Sequence, residues 1–342
     1  AKKYDEMRHY VAMSIYLTAA FTIAMTVGFE IANAPILRMM NTPDEVIGDV
    51  IKYMAIIYAG LIVTAAYNAL SSFLRALGDS KSPLYFLIIS ALLNIVLDIV
   101  FIVCFGMGVE GCAYATVIAQ GISALLCLVY IKKKMPLLHL EKKNFTVSVN
   151  SFKRLLALGI PMGLQFSITA IGTIIVQGAV NVYGAVHMAG FSAAGKLQNI
   201  VTTIFVAFGA TAATFVGQNR GAGKMDRVKA GVKSTQLMIL GWSVISMILV
   251  FFFGKYLTCI FVDPSETEVL EVSVTYFRTL FWAYPFLGSI FLYRNALQGM
   301  GFGLVPMLGG IFELVARAGI VFFIAGKTSF AGVCLADPAA WI

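Results

Sequence analysis

Charge is scarce in this sequence. Asp, Glu, Lys and Arg make up 12% of its 342 residues, while 59% are hydrophobic, against roughly 45–50% apolar in a soluble globular chain. With a mean hydropathy of +0.86, that shortage excludes a water-covered surface and leaves a polytopic membrane protein. Histidine is scarcer still. His9, His139 and His187 lie in loops or at a span end without a second ligand at metal spacing, which argues against a metal centre or a histidine-based hydrolase. The five cysteines, Cys104, Cys112, Cys127, Cys259 and Cys334, form no CxxC pair and lie near no histidine. They read as small apolar packing residues. No nucleophile–base constellation is present, so an enzyme is not expected. No cleavable signal peptide is visible, and the opening AKKYDEMRHY lacks Met, so the chain is expected to be a fragment.

What is abundant is long apolar runs. Nine complete spans are expected, at 11–28, 50–74, 84–105, 111–131, 155–182, 186–216, 237–257, 272–297 and 304–325, and a tenth begins near Ala331. Each of the nine reaches the roughly 17–20 residues that cross a hydrocarbon core of about 30 Å. The runs are continuous rather than alternating, which predicts helices and not a β-barrel.

One long polar stretch interrupts them. Residues 132–154 carry Lys132, Lys133, Lys134, Lys142, Lys143, Lys153 and Arg154 against the single acid Glu141. The stretch divides the chain into an amino-terminal lobe (1–131), a basic linker (132–154) and a carboxy-terminal lobe (155–342). With nine alternating spans, 17 of the 25 Lys and Arg residues fall on the linker's side. Only Arg38, Lys52, Lys255 and Lys327 fall on the other, and Lys196, Arg278, Arg294 and Arg317 lie inside spans. Positive charge in short loops marks the cytoplasmic face, so the amino end, the linker and the 220–233 loop are expected in the cytoplasm of a bacterial cell membrane. The net charge of +8 therefore reads as topology signal and lipid contact rather than nucleic-acid binding.

The halves repeat. Leu74-x3-Gly78-x4-Pro83 recurs as Leu297-x3-Gly301-x4-Pro306. Lys3-Tyr4-Asp5 aligns with Lys224-Met225-Asp226, and Gly111 with Gly332, all at nearly one offset. The offset covers six spans, an even number, which makes the repeat parallel about an axis along the membrane normal. Completing it implies twelve helices in two six-helix bundles, with two spans missing before Ala1 and most of the last absent.

The glycine-rich GQNRGAGK at 217–224 fails as a phosphate loop. Gln218 stands where the pattern needs Gly, and Met225 where it needs Ser or Thr. It reads instead as a tight turn ending a helix. Pro161 and Pro285 lie inside spans, where each removes a backbone hydrogen bond, and are the helix-bend candidates.

FLRALGDSKSPLYFLIISALLNIVLDIVF, GIPMGLQFSITAIGTIIVQ and FVGQNRGAGK resemble the multidrug and toxic compound extrusion family, nearest its DinF-type and MepA-type bacterial branch. The resemblance implies a secondary transporter with two six-helix lobes around a cleft. It would export amphipathic, often cationic, organic compounds in exchange for H⁺ or Na⁺, without other cofactors and as a monomer among membrane lipids. It also implies an acid on a first helix that this chain does not contain. NorM-type members carry a Glu in the seventh helix, where this sequence offers Thr169. That departure speaks against Na⁺ coupling through the second lobe. The alternatives are a lipid-linked precursor flippase of the same superfamily and an ion channel. For a channel, neither a charge ring nor a carbonyl filter is present.

Depth counted at about 1.5 Å per residue places Lys196, Glu313, Asn94 and Gln165 near the bilayer midplane. Glu313 has Arg317 one turn on, while Lys196 has no local partner. The same count puts Arg278, Arg294, Glu30 and Asp337 within reach of an interface. The substrate- or ion-pathway candidates are Lys196, Glu313, Arg317, Asn94, Asp98 and Gln165.

Overall fold

The computed structural model describes residues 2–39, 43–324 and 330–342. Ala325, at the end of the ninth expected span, and Lys327 lie outside them. Among the described residues the chain is helical and contains no strand, and it divides into two compact units, 1–155 and 156–342.

The first unit holds α1 (Lys2–Met39), α2 (Asp44–Ala59), α3 (Leu61–Ala76), α4 (Lys81–Ile99) and α5 (Gly108–Lys134). The apolar run expected as a single span at 50–74 is broken at Gly60, where α2 and α3 meet at 40°. The cause lies across the helix pair. A Cβ on Gly60 would come within 2.4 Å of Val117 Cγ2 on α5, so the backbone closes on α5 where it carries no side chain. Helix α4 ends in a π-turn over Val100–Cys104. Its Leu84, Leu92, Ile95 and Ile99 are each more than half exposed, a surface suited to hydrocarbon rather than water.

Basic residues gather at one end of this unit. Arg8 at the start of α1 donates to the Leu137 and Pro136 carbonyls. Lys143 lies 2.9 Å from Glu141 and 3.5 Å from Asp5. Within the linker, the Asn144 Oδ1 accepts from the Glu141 backbone N–H. At the opposite end Lys52 pairs with Glu110 at 3.0 Å. The turn after α3 sits at the basic end. Burial pushes the Asp79 carboxyl upward, but hydrogen bonds from Ser82, Tyr130 and Lys81 outweigh it and hold the group below its ordinary value.

The second unit holds α6 (Val149–Asn181, from Leu156 onward), α7 (Ala185–Gly221), α8 (Met225–Thr258), α9 (Thr267–Leu280), α10 (Tyr284–Gly299), α11 (Leu304–Ile324), α12 (Phe330–Cys334) and α13 (Ala336–Trp341). Glycines bring α7 against its neighbours, as small residues do where helices pack in lipid. A Cβ on Gly190 would fall 2.6 Å from Val272, one on Gly209 would fall 2.9 Å from the Phe291 carbonyl, and one on Gly299 would fall 2.4 Å from the Ala213 carbonyl. The Ser273 hydroxyl adds a hydrogen bond to the Gly190 carbonyl at 2.9 Å. Phe205, Phe277, Leu280 and Tyr284 fill the buried centre.

Two expectations change here. The run 272–297 is not one continuous α-helix, because a single 3-10 turn at Phe281–Ala283 separates α9 from α10. Pro285, expected deep in a span, stands in the first turn of α10, where proline costs no helical hydrogen bond. Helix α6, by contrast, runs unbroken through Pro161. Among the described residues, seven helices are long and apolar enough to cross a membrane, and eight if α2–α3 counts as one bent span, against the nine expected.

The repeat is visible in backbone geometry. Gly78 (φ +94°) and Gly301 (φ +82°) occupy the left-handed region that favours glycine. After them the Asp79 N–H reaches the Leu74 carbonyl and the Phe302 N–H reaches the Leu297 carbonyl, both at 3.0 Å. This is the same six-to-one closure of a helix end. GQNRGAGK closes likewise, with Gly223 at φ +73° and the Lys224 N–H on the Asn219 carbonyl, so it is a helix terminus.

Candidate functional site

Helix α11 carries Glu313 and Arg317 one turn apart, at 6% and 5% exposure. A charge in hydrocarbon costs about 2.5–3.5 kcal/mol on insertion scales, so such groups pair or meet a wet cavity. The helices are shaped to let them pair. A Cβ on Gly172 of α6 would lie 3.2 Å from Arg317 Cδ, and one on Gly310 of α11 would lie 3.2 Å from Gln165 Cγ. The two glycines make room for the guanidinium and for Gln165.

The Glu313–Arg317 pair the sequence pointed to is present, and further partners join it. Glu313 takes its hydrogen bond from Arg294 of α10, while the Arg317 Nη1 stands 3.7 Å from its other oxygen. Arg317 donates through Nε to Asp337 of α13 at 3.0 Å, and the Tyr276 hydroxyl lies 3.4 Å from the second Asp337 oxygen. The Gln165 amide sits between Gln298 at 3.1 Å and Arg294. Turned with its oxygen toward the guanidinium, it accepts from Arg294 Nε at 2.9 Å. Arg294 and Asp337, which the depth count put at an interface, therefore belong to the buried cluster. Counting along a span assumes a straight helix, and both residues follow a break. The signal available in the sequence was the balance of charges: once Glu313 and Arg317 were placed, Arg294 and Asp337 were unmatched charges inside apolar segments.

Lys196 has a neighbour too, though none close in sequence. Its ammonium lies 5.4 Å from the centroid of the Phe261 ring, in the turn between α8 and α9. The long side chain reaches toward that turn. Lys196 and the cluster line one cavity of about 520 Å³, with Thr169, Phe191, Asn199 and Trp341 among its walls. Thr169 gives its hydroxyl to the Gln165 carbonyl, so it is spent on its own helix.

In the first unit the candidates lie on α4. Ser90 donates to the Ala119 carbonyl at 2.7 Å and ties α4 to α5. Asn94 and Asp98, four residues apart, each keep one buried polar atom without a hydrogen-bond partner, Nδ2 and Oδ1 respectively. At offset 223 Ser90 and Asn94 are the repeat counterparts of Glu313 and Arg317. The repeat thus keeps both positions polar while changing their charge. Among the described residues no group of three His, Cys, Asp or Glu side chains could hold a metal ion.

A family profile described as MatE matches residues 1–100 and 161–323. The chain is 31% identical over 301 residues to the probable multidrug resistance protein YpnP of Bacillus subtilis, covering 86% of the chain and 65% of YpnP. To YoeA of the same organism, also named a probable multidrug resistance protein, it is 27% identical over 100% of the chain and 75% of YoeA. The chain thus spans about two thirds of YpnP's length and three quarters of YoeA's. Among solved structures, a MOP superfamily transporter from Pyrococcus furiosus superposes with a TM-score of 0.91 at 19% identity, over 98% of this chain and 75% of that one. A multidrug resistance MATE transporter in an outward-facing conformation superposes at 0.90 and 20% identity, over 97% and 74%.

Proposed function

The chain belongs to the MatE family, and from that premise we propose that it works as an alternating-access antiporter. It exports amphipathic organic compounds across a bacterial cytoplasmic membrane in exchange for H⁺ or Na⁺. The names of YpnP and YoeA support multidrug export, and the cavity of the second unit, walled by aromatic, hydroxyl and charged side chains, suits amphipathic cargo.

The coupling half rests on one observation, the pair Asn94 and Asp98. Both leave a buried polar atom unpartnered on an apolar helix, where an ionisable group is expensive and marks an ion or proton path. A carboxylate with an amide one turn away offers a proton acceptor, or oxygen ligands for a hard cation. Asp98 is the exchanging group in this reading and Asn94 its neighbouring ligand.

The test is ethidium exchange in proteoliposomes driven by an imposed pH or Na⁺ gradient. Asp98→Asn is expected to lower exchange at least tenfold under whichever gradient drives the wild type, with reconstitution unchanged, and Asp98→Glu to keep part of it. Wild-type exchange by the Asn variant under both gradients would remove Asp98 from coupling.

A further inference from the structure

The cavity of the second unit has a surplus of positive charge, and among the described residues one donor in it has no hydrogen-bond acceptor. Among the described residues its walls carry Lys196, Arg294 and Arg317 against Glu313 and Asp337, three cations to two anions. The acids are spent: Glu313 on Arg294, Asp337 on Arg317 Nε and the Tyr276 hydroxyl. Arg294 is spent too, between Glu313 and Gln165. Arg317 is not. Its side chain is about nineteen-twentieths buried, its Nη1 has no hydrogen-bond acceptor, and Gly172 beside it supplies only empty backbone. Leaving such a donor unmet costs on the order of 1–3 kcal/mol, more for a charged group. Among the described residues Lys196, exposed on the same cavity, is held only by the face of Phe261, an interaction of about 0.5–1 kcal/mol at exposed sites.

We propose that this cavity takes its amphipathic cargo by an anionic group, a carboxylate or phosphate, received by Arg317 Nη1 with Lys196 as the second cation, while Phe191 and Trp341 meet the apolar part. The guanidinium is turned by Asp337 at Nε and flanked by Glu313 at Nη1, which leaves Nη1 a charged donor for an incoming oxygen. Two fixed carboxylates keep the guanidinium in place without cancelling the surplus. This names the cargo class for the export reading above, on which it rests, and departs from the cationic class that the family resemblance implies.

The experiment uses the purified protein in phosphatidylcholine nanodiscs and two probes sharing one fluorophore, dansylglycine and a dansyl-aminoethyl-trimethylammonium salt. Binding is read as dansyl emission sensitised by Trp341, with Trp341→Phe as the blank. Dansylglycine is expected to bind at least tenfold tighter than the cation. Lys196→Met, on an exposed side chain that folding does not need, should weaken dansylglycine at least fivefold and leave the cation equal or tighter. Arg317→Gln should do the same more strongly, and Arg317→Lys should restore part of the affinity. Phosphatidylglycerol in the disc that displaces dansylglycine would identify a lipid headgroup as the anion; unchanged binding would identify a free organic anion. A cation probe that binds as tightly or tighter, unmoved by Lys196→Met, would overturn the anion preference and leave export of amphipathic compounds standing. Binding of neither probe would overturn both.

Discussion

Glu313 shows how one carboxylate can hold two helices. It receives Arg294 from α10 and stands beside Arg317 on α11; Glu313 and Arg317 are buried and Arg294 nearly so. Removing one member of a buried ion cluster costs about 3–5 kcal/mol because the remaining charge is left uncompensated. Glu313→Leu should therefore lower the thermal midpoint of the purified protein sharply. Adding Arg294→Met should recover most of the loss, since the orphaned guanidinium goes with it. Additive losses in the double variant would show that the contact does not hold α10 to α11. The same reasoning separates Arg317, whose Nη1 has no hydrogen-bond acceptor among the described residues, from Arg294, which binds Glu313 and Gln165.

Elements in this fold break where a neighbour comes too close for a side chain. Gly60 has ordinary backbone angles, φ −74° and ψ −9°, so glycine is not required there by conformation. It is required by Val117, whose methyl would lie 2.4 Å from a Cβ. Gly60→Ala should cost about 1–3 kcal/mol, the usual price of overpacking, read as a drop in unfolding midpoint in detergent. Gly60→Ala combined with Val117→Ala should return toward wild type. No rescue by the second substitution would mean that the bend between α2 and α3 has another cause. Gly78 and Gly301 are the opposite case: their positive φ angles demand glycine even though a Cβ on Gly78 would meet nothing within 4 Å.

At the scale of the whole molecule, the division of positive charge predicts which loops face the cytoplasm. Lys133→Cys, in a variant lacking other cysteines, should resist a membrane-impermeant maleimide in intact cells, and Ser265→Cys should react. Both side chains are exposed, so reactivity reports sidedness rather than burial; Asn144, at 3% exposure, would not serve. The reverse labelling pattern would invert the orientation and with it the proposed direction of export.

The sequence by itself determined the membrane class, the helical secondary structure and the internal repeat, because each depends on contiguous residues. Hydrocarbon thickness acts on an unbroken apolar run, and a helix end is closed by a glycine such as Gly78 or Gly301 a few residues away. Its site candidates were half legible: Glu313, Arg317, Gln165 and Lys196 stood out as polar groups in apolar runs. Only the tertiary structure decided that Arg294 and Asp337 join them, that Phe261 takes the Lys196 ammonium, and that the run around Leu280 breaks before Tyr284. Those outcomes depend on which helix faces meet. Where Gly172 and Gly310 leave space, and which of several buried charges fills it, is set by packing between segments more than a hundred residues apart in the chain, and no local pattern records it.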